Sequence, residues 1–145
     1  MASTKEVGAK WVEAFNSHDE ARIRELNSDD IALEAPGDVQ LEGSDASTGY
    51  AMGWLNAFSD ARITVSSTFV DGDTAVQEFT FEGTHDHTLS SPAGDIPATN
   101  RRLTGRGVQI LRVEDGKVAE ARLYYDQVQL MTQLGLMPEP ATATA

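Results

Sequence analysis

The spacing of apolar residues along the chain begins with a helical period. Val7, Trp11 and Phe15 fall on one helical face. They follow Ser3 and Glu6, which have the spacing of a capping box, in which each residue satisfies a free amide at the start of a helix. The pattern therefore predicts an N-terminal helix that buries its aromatic face.

The next stretch predicts further short elements before the pattern changes. Ser17 and Glu20 repeat the capping-box spacing and predict a second, short helix. Two short strands are predicted over residues 31–34 and 39–42, around a Pro-Gly turn. A third helix is predicted over residues 44–58, with Tyr50, Trp54 and Phe58 on one face.

From residue 62 onward the apolar period becomes two, which is typical of strands. Phe79 and Phe81 share the inner face of one such strand, together with Ala75 and Gln77. Residues 105–125 predict a strand, a tight turn at Asp115-Gly116 and a second strand, because Asp-Gly tolerates the positive φ angles of a two-residue hairpin loop. A short amphipathic helix follows.

The order of these elements predicts the fold class. Helices come first, a long antiparallel meander follows and a terminal helix ends the pattern, which favours an α+β fold with helices packed on one face of a curved sheet. No internal repeat or linker divides the sequence, so residues 1–137 are expected to form one domain. Residues 138–145, PEPATATA, are expected to be a disordered tail.

Composition and charge limit the classes of partner and of chemical site that the protein can have. The chain has 11 basic and 23 acidic residues, a net charge of −12, which disfavours binding to nucleic acid or to an anionic membrane. The absence of cysteine excludes disulfides, thiolate metal ligands and a cysteine nucleophile. The first residues, MASTKEVGAKW, contain no apolar run of the signal-peptide kind, so a cytoplasmic protein is expected.

Several motifs, taken in order, resemble a known family. They are FEGTH at 81–85, a Pro-bearing loop, NRR at 100–102, LRVEDGKV at 111–118, YYDQ at 124–127 and QLGLMP at 133–138. The ordered set resembles the SnoaL-like polyketide cyclases, or ester cyclases, of the nuclear transport factor 2-like superfamily. The sequence departs from the resemblance after His85, where it continues Asp-His-Thr instead of the Thr-Gly found in many relatives.

The resemblance implies a fold, a chemistry and an assembly. The implied fold is a cone-shaped α+β barrel of N-terminal helices packed on a strongly curved, mainly antiparallel sheet, paired as a homodimer through the outer face of the sheet. The implied chemistry is an intramolecular aldol closure of a polyketide-like ester, with no metal and no cofactor. In that chemistry the matching aspartate, Asp126, removes and returns a proton, while His85 matches the family histidine and Gln109 a polar pocket position.

Asp126 has two interpretations in the sequence. It follows an apolar and aromatic run, and a carboxylate beside aromatic side chains loses solvation and becomes a stronger base. It also precedes an apolar helical run, where Asp is a favoured N-cap. Tyr124, two residues back, is a candidate to donate a hydrogen bond to an enolate oxygen, or else is a core or interface tyrosine.

The two histidines His85 and His87 are expected to share one strand face because they are two residues apart. Such a pair can ligate a metal, but no third ligand follows at a recognisable spacing, so no metal site is predicted. A role in the pocket, hydrogen bonding a substrate oxygen, is favoured instead. His87 is equally consistent with a position in solvent at the end of the strand.

The aromatic residues are expected to wall an apolar pocket as well as form core. The candidates for contact with a small hydrophobic or aromatic substrate are Phe15, Tyr50, Trp54, Phe79 and Phe81. The leading hypothesis is a cofactor-independent cyclase in which Asp126 is the acid and base. The alternatives are an isomerase, hydratase or hydrolase acting on a hydrophobic ketone or epoxide, and a binding module without catalysis.

Overall fold

The computed structural model describes residues 2–91 and 94–137. The residues expected to form a disordered tail, 138–145, lie outside this part of the chain. The helices within it are α1 (Thr4–Ser17), α2 (Glu20–Leu26), α3 (Ser44–Ala57) and α4 (Gln127–Gln133). The strands are β1 (Asn27–Ala35), β2 (Val39–Glu42), β3 (Arg62–Asp71), β4 (Thr74–Thr84), β5 (Leu89–Ser91), β6 (Gly94–Ile96), β7 (Arg102–Glu114) and β8 (Lys117–Tyr125).

The start of α1 confirms the predicted cap, and the start of α2 corrects one. Ser3 Oγ accepts a hydrogen bond from the Glu6 amide at 3.1 Å, as the capping spacing predicts. The prediction that Ser17 caps the second helix is wrong, because Ser17 is the last residue of α1. Asp19 caps α2 instead, and its Oδ1 accepts from the Ala21 amide at 3.0 Å.

The helices lie against a mainly antiparallel six-stranded sheet, which confirms the α+β prediction. The strand order is β2-β1-β8-β7-β4-β3, and β1 pairs with β8 in parallel while the other neighbours are antiparallel. The β7–β8 hairpin turns at Asp115 and Gly116, whose φ angles of 52° and 76° match the predicted Asp-Gly turn. No helix in the described part of the chain is long and apolar enough to cross a membrane.

Two buried clusters hold the helices to the inner face of the sheet. One gathers apolar residues around Phe58, Leu55 and Leu103, between α3 and the start of β7. The other gathers residues around Val7, Ile31 and Leu111, between α1 and the middle of the sheet. Removing apolar surface of the helices and of the sheet from water is favourable. These clusters therefore fix the positions of α1 and α3 over the sheet.

Two glycines on the inner face of β7 are packed differently. Gly107 pairs with Phe79 and Gly105 with Phe81 in the β4–β7 register. A Cβ on Gly107 would lie 2.6 Å from Cζ of Phe79, whereas a Cβ on Gly105 would meet no atom within 4 Å. Gly107 therefore provides the space that the buried Phe79 ring occupies.

We expect Gly107→Ala to destabilise the protein by roughly 1–3 kcal/mol, because the methyl group displaces a packed ring. Gly105→Ala is the matched control and should be neutral or stabilising by up to about 1 kcal/mol, since alanine restricts the unfolded chain more than glycine does. Urea unfolding of both variants measures the difference. Equal free energies of unfolding for the two variants would contradict this account of the packing.

Candidate active site

An apolar cavity of about 100 Å³ lies between the inner face of the sheet and helices α1 and α3. Its lining is mostly aromatic and aliphatic, with a few polar side chains. The lining residues are Trp11, Val12, Phe15, Ile23, Asn27, Leu33, Ser47, Tyr50, Ala51, Trp54, Ile63, Phe79, Phe81, Leu103, Gly105, Arg106, Gln109, Leu123, Tyr125, Asp126, Gln129 and Leu130. Of the residues expected to form the site, the structure brings seven to this cavity: Phe15, Tyr50, Trp54, Phe79, Phe81, Gln109 and Asp126.

Trp54 is the centre of the aromatic wall. Its ring centroid lies 5.6 Å from Phe81 and 5.8 Å from Tyr125, both edge-to-face, and 5.9 Å from Phe58, stacked. Edge-to-face and offset contacts place the positive ring edge against a negative ring face, so such clusters hold their geometry. The wall is therefore a rigid surface on which a flat apolar ligand can lie.

Asp126 stands where the cavity meets solvent. It lines the cavity, yet its side chain is exposed, because β8 ends at Tyr125 and the chain turns there into α4. Its Oδ1 accepts a hydrogen bond from the Gln129 amide at 3.0 Å, so the aspartate is the N-cap of α4. The described residues place no hydrogen-bond donor on Oδ2. The capping interpretation is thus confirmed, and one carboxylate oxygen stays available at the cavity opening.

The structure places Tyr124 away from the cavity and Tyr125 in it. Tyr124 pairs with Val108 on the outer face of the sheet and is 53% exposed. Tyr125 continues the inner face of Ala121 and Leu123 and lines the cavity. The expectation that Tyr124 shares the site with Asp126 therefore differs from the observed geometry, since strand alternation sends neighbouring side chains to opposite faces.

The Tyr125 hydroxyl meets the hydroxyl of Tyr50 from α3. The two oxygens are 3.1 Å apart, and either group can be the donor. Burial raises the pKa of Tyr50 above its ordinary value, against the opposing hydrogen bonds from Tyr125 and Trp54. Burial, followed by the charge and hydrogen bond of Tyr50, raises the pKa of Tyr125 strongly. Both phenols therefore stay protonated at neutral pH.

His85 is fully buried but does not line the cavity. Its ring stacks on the buried ring of Phe58, with the two centroids 5.2 Å apart. Its Nδ1 accepts a hydrogen bond from the Thr99 amide at 3.3 Å, and the Thr99 hydroxyl lies 3.0 Å away. Burial lowers the pKa of His85, partly opposed by the nearby carboxylate of Asp86. The neutral ring thus ties the chain beyond β4 to the segment that leads into β7.

His87 lies in solvent, contrary to the expectation that it shares an inward face with His85. Its side chain is 65% exposed, and its Nδ1 lies 3.0 Å from the Asp86 carboxylate. The β4 strand ends at Thr84, so the alternation that relates residues two apart no longer holds at these positions. The structure does not bring His87 to the substrate-binding position that the sequence suggested.

Buried amides complete the polar part of the cavity. Gln109 Nε2 donates to Gln77 Oε1 at 2.8 Å, between adjacent strands on the inner face. Asn27 Oδ1 accepts from Trp11 Nε1 at 3.0 Å, and Asn27 Nδ2 donates to Thr48 Oγ1 at 3.2 Å. These bonds satisfy polar groups that would otherwise destabilise an apolar interior.

Tyr125 and Asn27 are two of the lining residues that sequence reasoning missed. The signal for Tyr125 was present, because Glu120 and Arg122 share a face with Tyr124 and charged side chains mark an outer face. Asn27 carried no comparable signal. It begins β1, and its side chain connects α1 to α3 through the hydrogen bonds to Trp11 and Thr48.

Comparisons with known proteins agree with this architecture. AclR from Streptomyces galilaeus, named as a candidate hydroxylase, is 27% identical, with 94% of this chain and 87% of that chain covered and a TM-score of 0.77. IdmH from Streptomyces antibioticus, named as a candidate polyketide cyclase, is 25% identical, with 92% and 99% covered and a TM-score of 0.77. A protein from Catenulispora acidiphila with a ketosteroid isomerase-like fold is 16% identical, with 93% and 96% covered and a TM-score of 0.75.

The family comparison covers most of the sequence. No curated protein matched the chain. The family model described as SnoaL-like polyketide cyclase matches residues 5–134, which include all of α1 but its first residue and the whole six-stranded sheet. The chain therefore belongs to the SnoaL-like polyketide cyclase family.

Proposed function

We propose that this protein is a cofactor-independent acid/base enzyme in which Asp126 transfers a proton to and from a carbon acid bound in the cavity. One observation carries the proposal: among the residues that the structure describes, Asp126 is the only carboxylate that lines this apolar, aromatic cavity. General bases act when they are within hydrogen-bond reach of the proton that they remove. A carboxylate at the opening of an apolar cavity reaches a substrate whose apolar part lies inside.

The chemistry needs no group beyond a carboxylate and a substrate with two carbonyls. The free oxygen of Asp126 takes a proton from a C–H bond next to a carbonyl, and the electron pair of that bond forms an enolate. The enolate carbon then attacks the second carbonyl of the same molecule, which forms the ring C–C bond and leaves an alkoxide. The alkoxide takes the proton back from Asp126, so the enzyme returns to its starting state.

The size of the cavity limits the part of the substrate that it encloses. A cavity of about 150 Å³ binds benzene, so a cavity of about 100 Å³ encloses at most about one aromatic ring. The rest of a longer substrate would extend through the opening, past Asp126. An aryl-bearing polyketide-like ester fits this division, and the similarity to IdmH, named as a candidate polyketide cyclase, supports the same substrate class.

His85 and Tyr124 have no part in this proposal. His85 is buried behind Phe58 and Tyr124 lies on the outer face, so neither side chain is placed to polarise a carbonyl in the cavity. The proton transfer is therefore assigned to Asp126 alone.

Two substitutions of Asp126 separate its catalytic role from its capping role. Asp126→Asn keeps a good N-cap and removes the base, so exchange of the acidic C–H should fall by roughly 100-fold or more with little change in stability. Asp126→Ala should lose the same activity and also about 1 kcal/mol of stability, because the cap is lost as well. The measurement is deuterium incorporation at the carbon between the carbonyls of methyl 3-oxo-3-phenylpropanoate in D₂O, followed by NMR.

The uncatalysed exchange in the same buffer is the control for this measurement. Wild-type acceleration that Asp126→Asn retains would refute the assignment of the base. Binding of the ester without any acceleration by the wild-type protein would favour a binding module over an enzyme. Opening of an epoxide by the same carboxylate would be detected by replacing the ester with styrene oxide and following diol formation.

We also propose that two copies of the chain pair through the outer face of the sheet. Phe69, Val76 and Ile110 are successive partners across β3, β4 and β7 on that face, and Tyr124 lies nearby on β8. Phe69 is 61% exposed and Tyr124 is 53% exposed. A contiguous apolar patch on a surface of net charge −12 favours a protein contact over solvent.

Phe69→Glu should convert the dimer to a monomer, because it places a charge in the apolar patch at its most exposed residue. Val70→Glu is the matched control: Val70 is 45% exposed, but strand alternation turns its side chain to the other face. Light scattering after size-exclusion chromatography should give twice the mass of one chain for the wild type and Val70→Glu, and one chain for Phe69→Glu. A monomeric wild-type protein would contradict the proposal.

A further inference from the structure

The hydroxyl pair of Tyr50 and Tyr125 is the one polar contact that joins α3 to the end of β8 inside the cavity, within the described residues. The hydroxyl oxygens are 3.1 Å apart, and both side chains line the cavity. Tyr50 comes from the helical layer and Tyr125 from the sheet, so the pair spans the space in which a ligand would lie. Tyr125 is also the residue before Asp126.

A pair of hydroxyls cannot satisfy both of its own protons. Each phenol has one O–H donor and an oxygen that accepts, so a bond between two phenols uses one proton and leaves the other free. This holds whichever of the two is the donor. Trp54, whose ring packs edge-to-face on that of Tyr50, carries only an N–H donor and cannot accept the remaining proton.

The surroundings make the free O–H a strong donor towards a ligand. The described side chains give these two hydroxyls no acceptor other than each other. The Trp54 ring packs edge-to-face on both tyrosine rings, with centroids 6.5 Å from Tyr50 and 5.8 Å from Tyr125, which makes the wall beside them apolar. In such an environment hydrogen bonds are stronger than in water, and a donor already accepting a hydrogen bond is polarised further.

We propose that the Tyr50–Tyr125 pair binds the carbonyl oxygen of the substrate and stabilises the negative charge that develops on it. This inference rests on the proposed function, in which Asp126 removes a proton from the carbon next to that carbonyl. The pair gives the developing enolate oxygen a preorganised donor, the type of interaction that most lowers the barrier to forming such an anion. After ring closure the oxygen returns to a neutral carbonyl and the pair keeps its protons.

The position of the pair also selects the substrate class. The enclosed volume of about 100 Å³ holds on the order of one ring, and the hydroxyls lie within the same lining as the aromatic wall. The carbonyl bound by the pair is therefore attached to the enclosed ring or one bond away from it. The substrate is accordingly an aryl ketone whose chain leads out past Asp126, and not a compound with its ketone at the far end of a long chain.

Binding of two matched ligands tests the pair without requiring turnover. Acetophenone carries the aryl carbonyl, and α-methylstyrene has the same shape with a methylene group in place of the oxygen. Tyr50→Phe/Tyr125→Phe is the test variant, because either single substitution leaves one hydroxyl that can still donate. Tyr124→Phe is the matched comparison, since it removes a phenol hydroxyl from the neighbouring residue on the outer face.

The double variant should bind acetophenone about 5- to 10-fold more weakly than the wild type, and α-methylstyrene with unchanged affinity, because only the ketone loses a hydrogen bond. With ¹³C-carbonyl acetophenone, the infrared carbonyl band should lie at lower wavenumber when bound to the wild type and to Tyr124→Phe. In the double variant the band should match that of the ketone in an apolar solvent. Circular dichroism confirms that each variant is folded.

Asp126→Asn separates this inference from the proposed function. If the tyrosine pair binds the carbonyl, Asp126→Asn should keep the shifted carbonyl band although it no longer catalyses proton exchange. A shifted band in a wild-type protein that catalyses no exchange would leave the pair as a carbonyl-binding site and refute the enzyme. An unshifted wild-type band, equal weakening of both ligands in the double variant, or no binding of acetophenone by the wild type would each overturn the inference.

Discussion

The packing of the Phe79 ring on Gly107 is the contact on which the cavity depends. A side chain at position 107 would lie 2.6 Å from the ring tip, so any residue but glycine forces the ring off β7 and into the space above it. With glycine there, the tip of the Phe79 ring packs over Gly107, and the ring forms part of the cavity wall on the side of the sheet. The helices then pack on the aromatic and aliphatic side chains around Phe79 and leave a volume between the helices and the sheet unfilled. The close contact between Phe79 and Gly107 thus keeps this ring in the sheet-side wall of the cavity.

The polar groups of the cavity are divided between its interior and its opening. Inside, buried amides pair with each other, as Gln109 does with Gln77, and cost little because they are satisfied. The tyrosine hydroxyls are paired to each other and keep one donor for a ligand. At the opening, Asp126 uses one oxygen to cap α4 and presents the other to solvent and cavity. The N-cap of α4 and the proposed base are therefore one side chain, because α4 begins where β8 ends.

The sequence predicted the elements well and the site in part, for physical reasons. Periodicity and capping located α1, α3 and the β7–β8 hairpin, since these signals depend on neighbouring residues alone. The inward face of β4 followed from alternation, and with it Phe79 and Phe81. The prediction for Tyr124 assumed that strand alternation continues to Asp126, but β8 ends at Tyr125, and alternation within the strand turns Tyr125 inward with Leu123. His85, Asn27 and Gly107 depend on contacts between distant segments, which one sequence without structure does not specify.

A crystal structure with 1-phenylbutane-1,3-dione bound tests the central claim most directly. The account predicts the phenyl ring against Trp54 and Phe81, one carbonyl oxygen within about 3 Å of the Tyr50 or Tyr125 hydroxyl, and the carbon between the carbonyls facing the free oxygen of Asp126. Binding outside the cavity would contradict the account. So would a pose inside it that turns the diketone away from Asp126, because the only carboxylate in the described lining would then have no proton to remove.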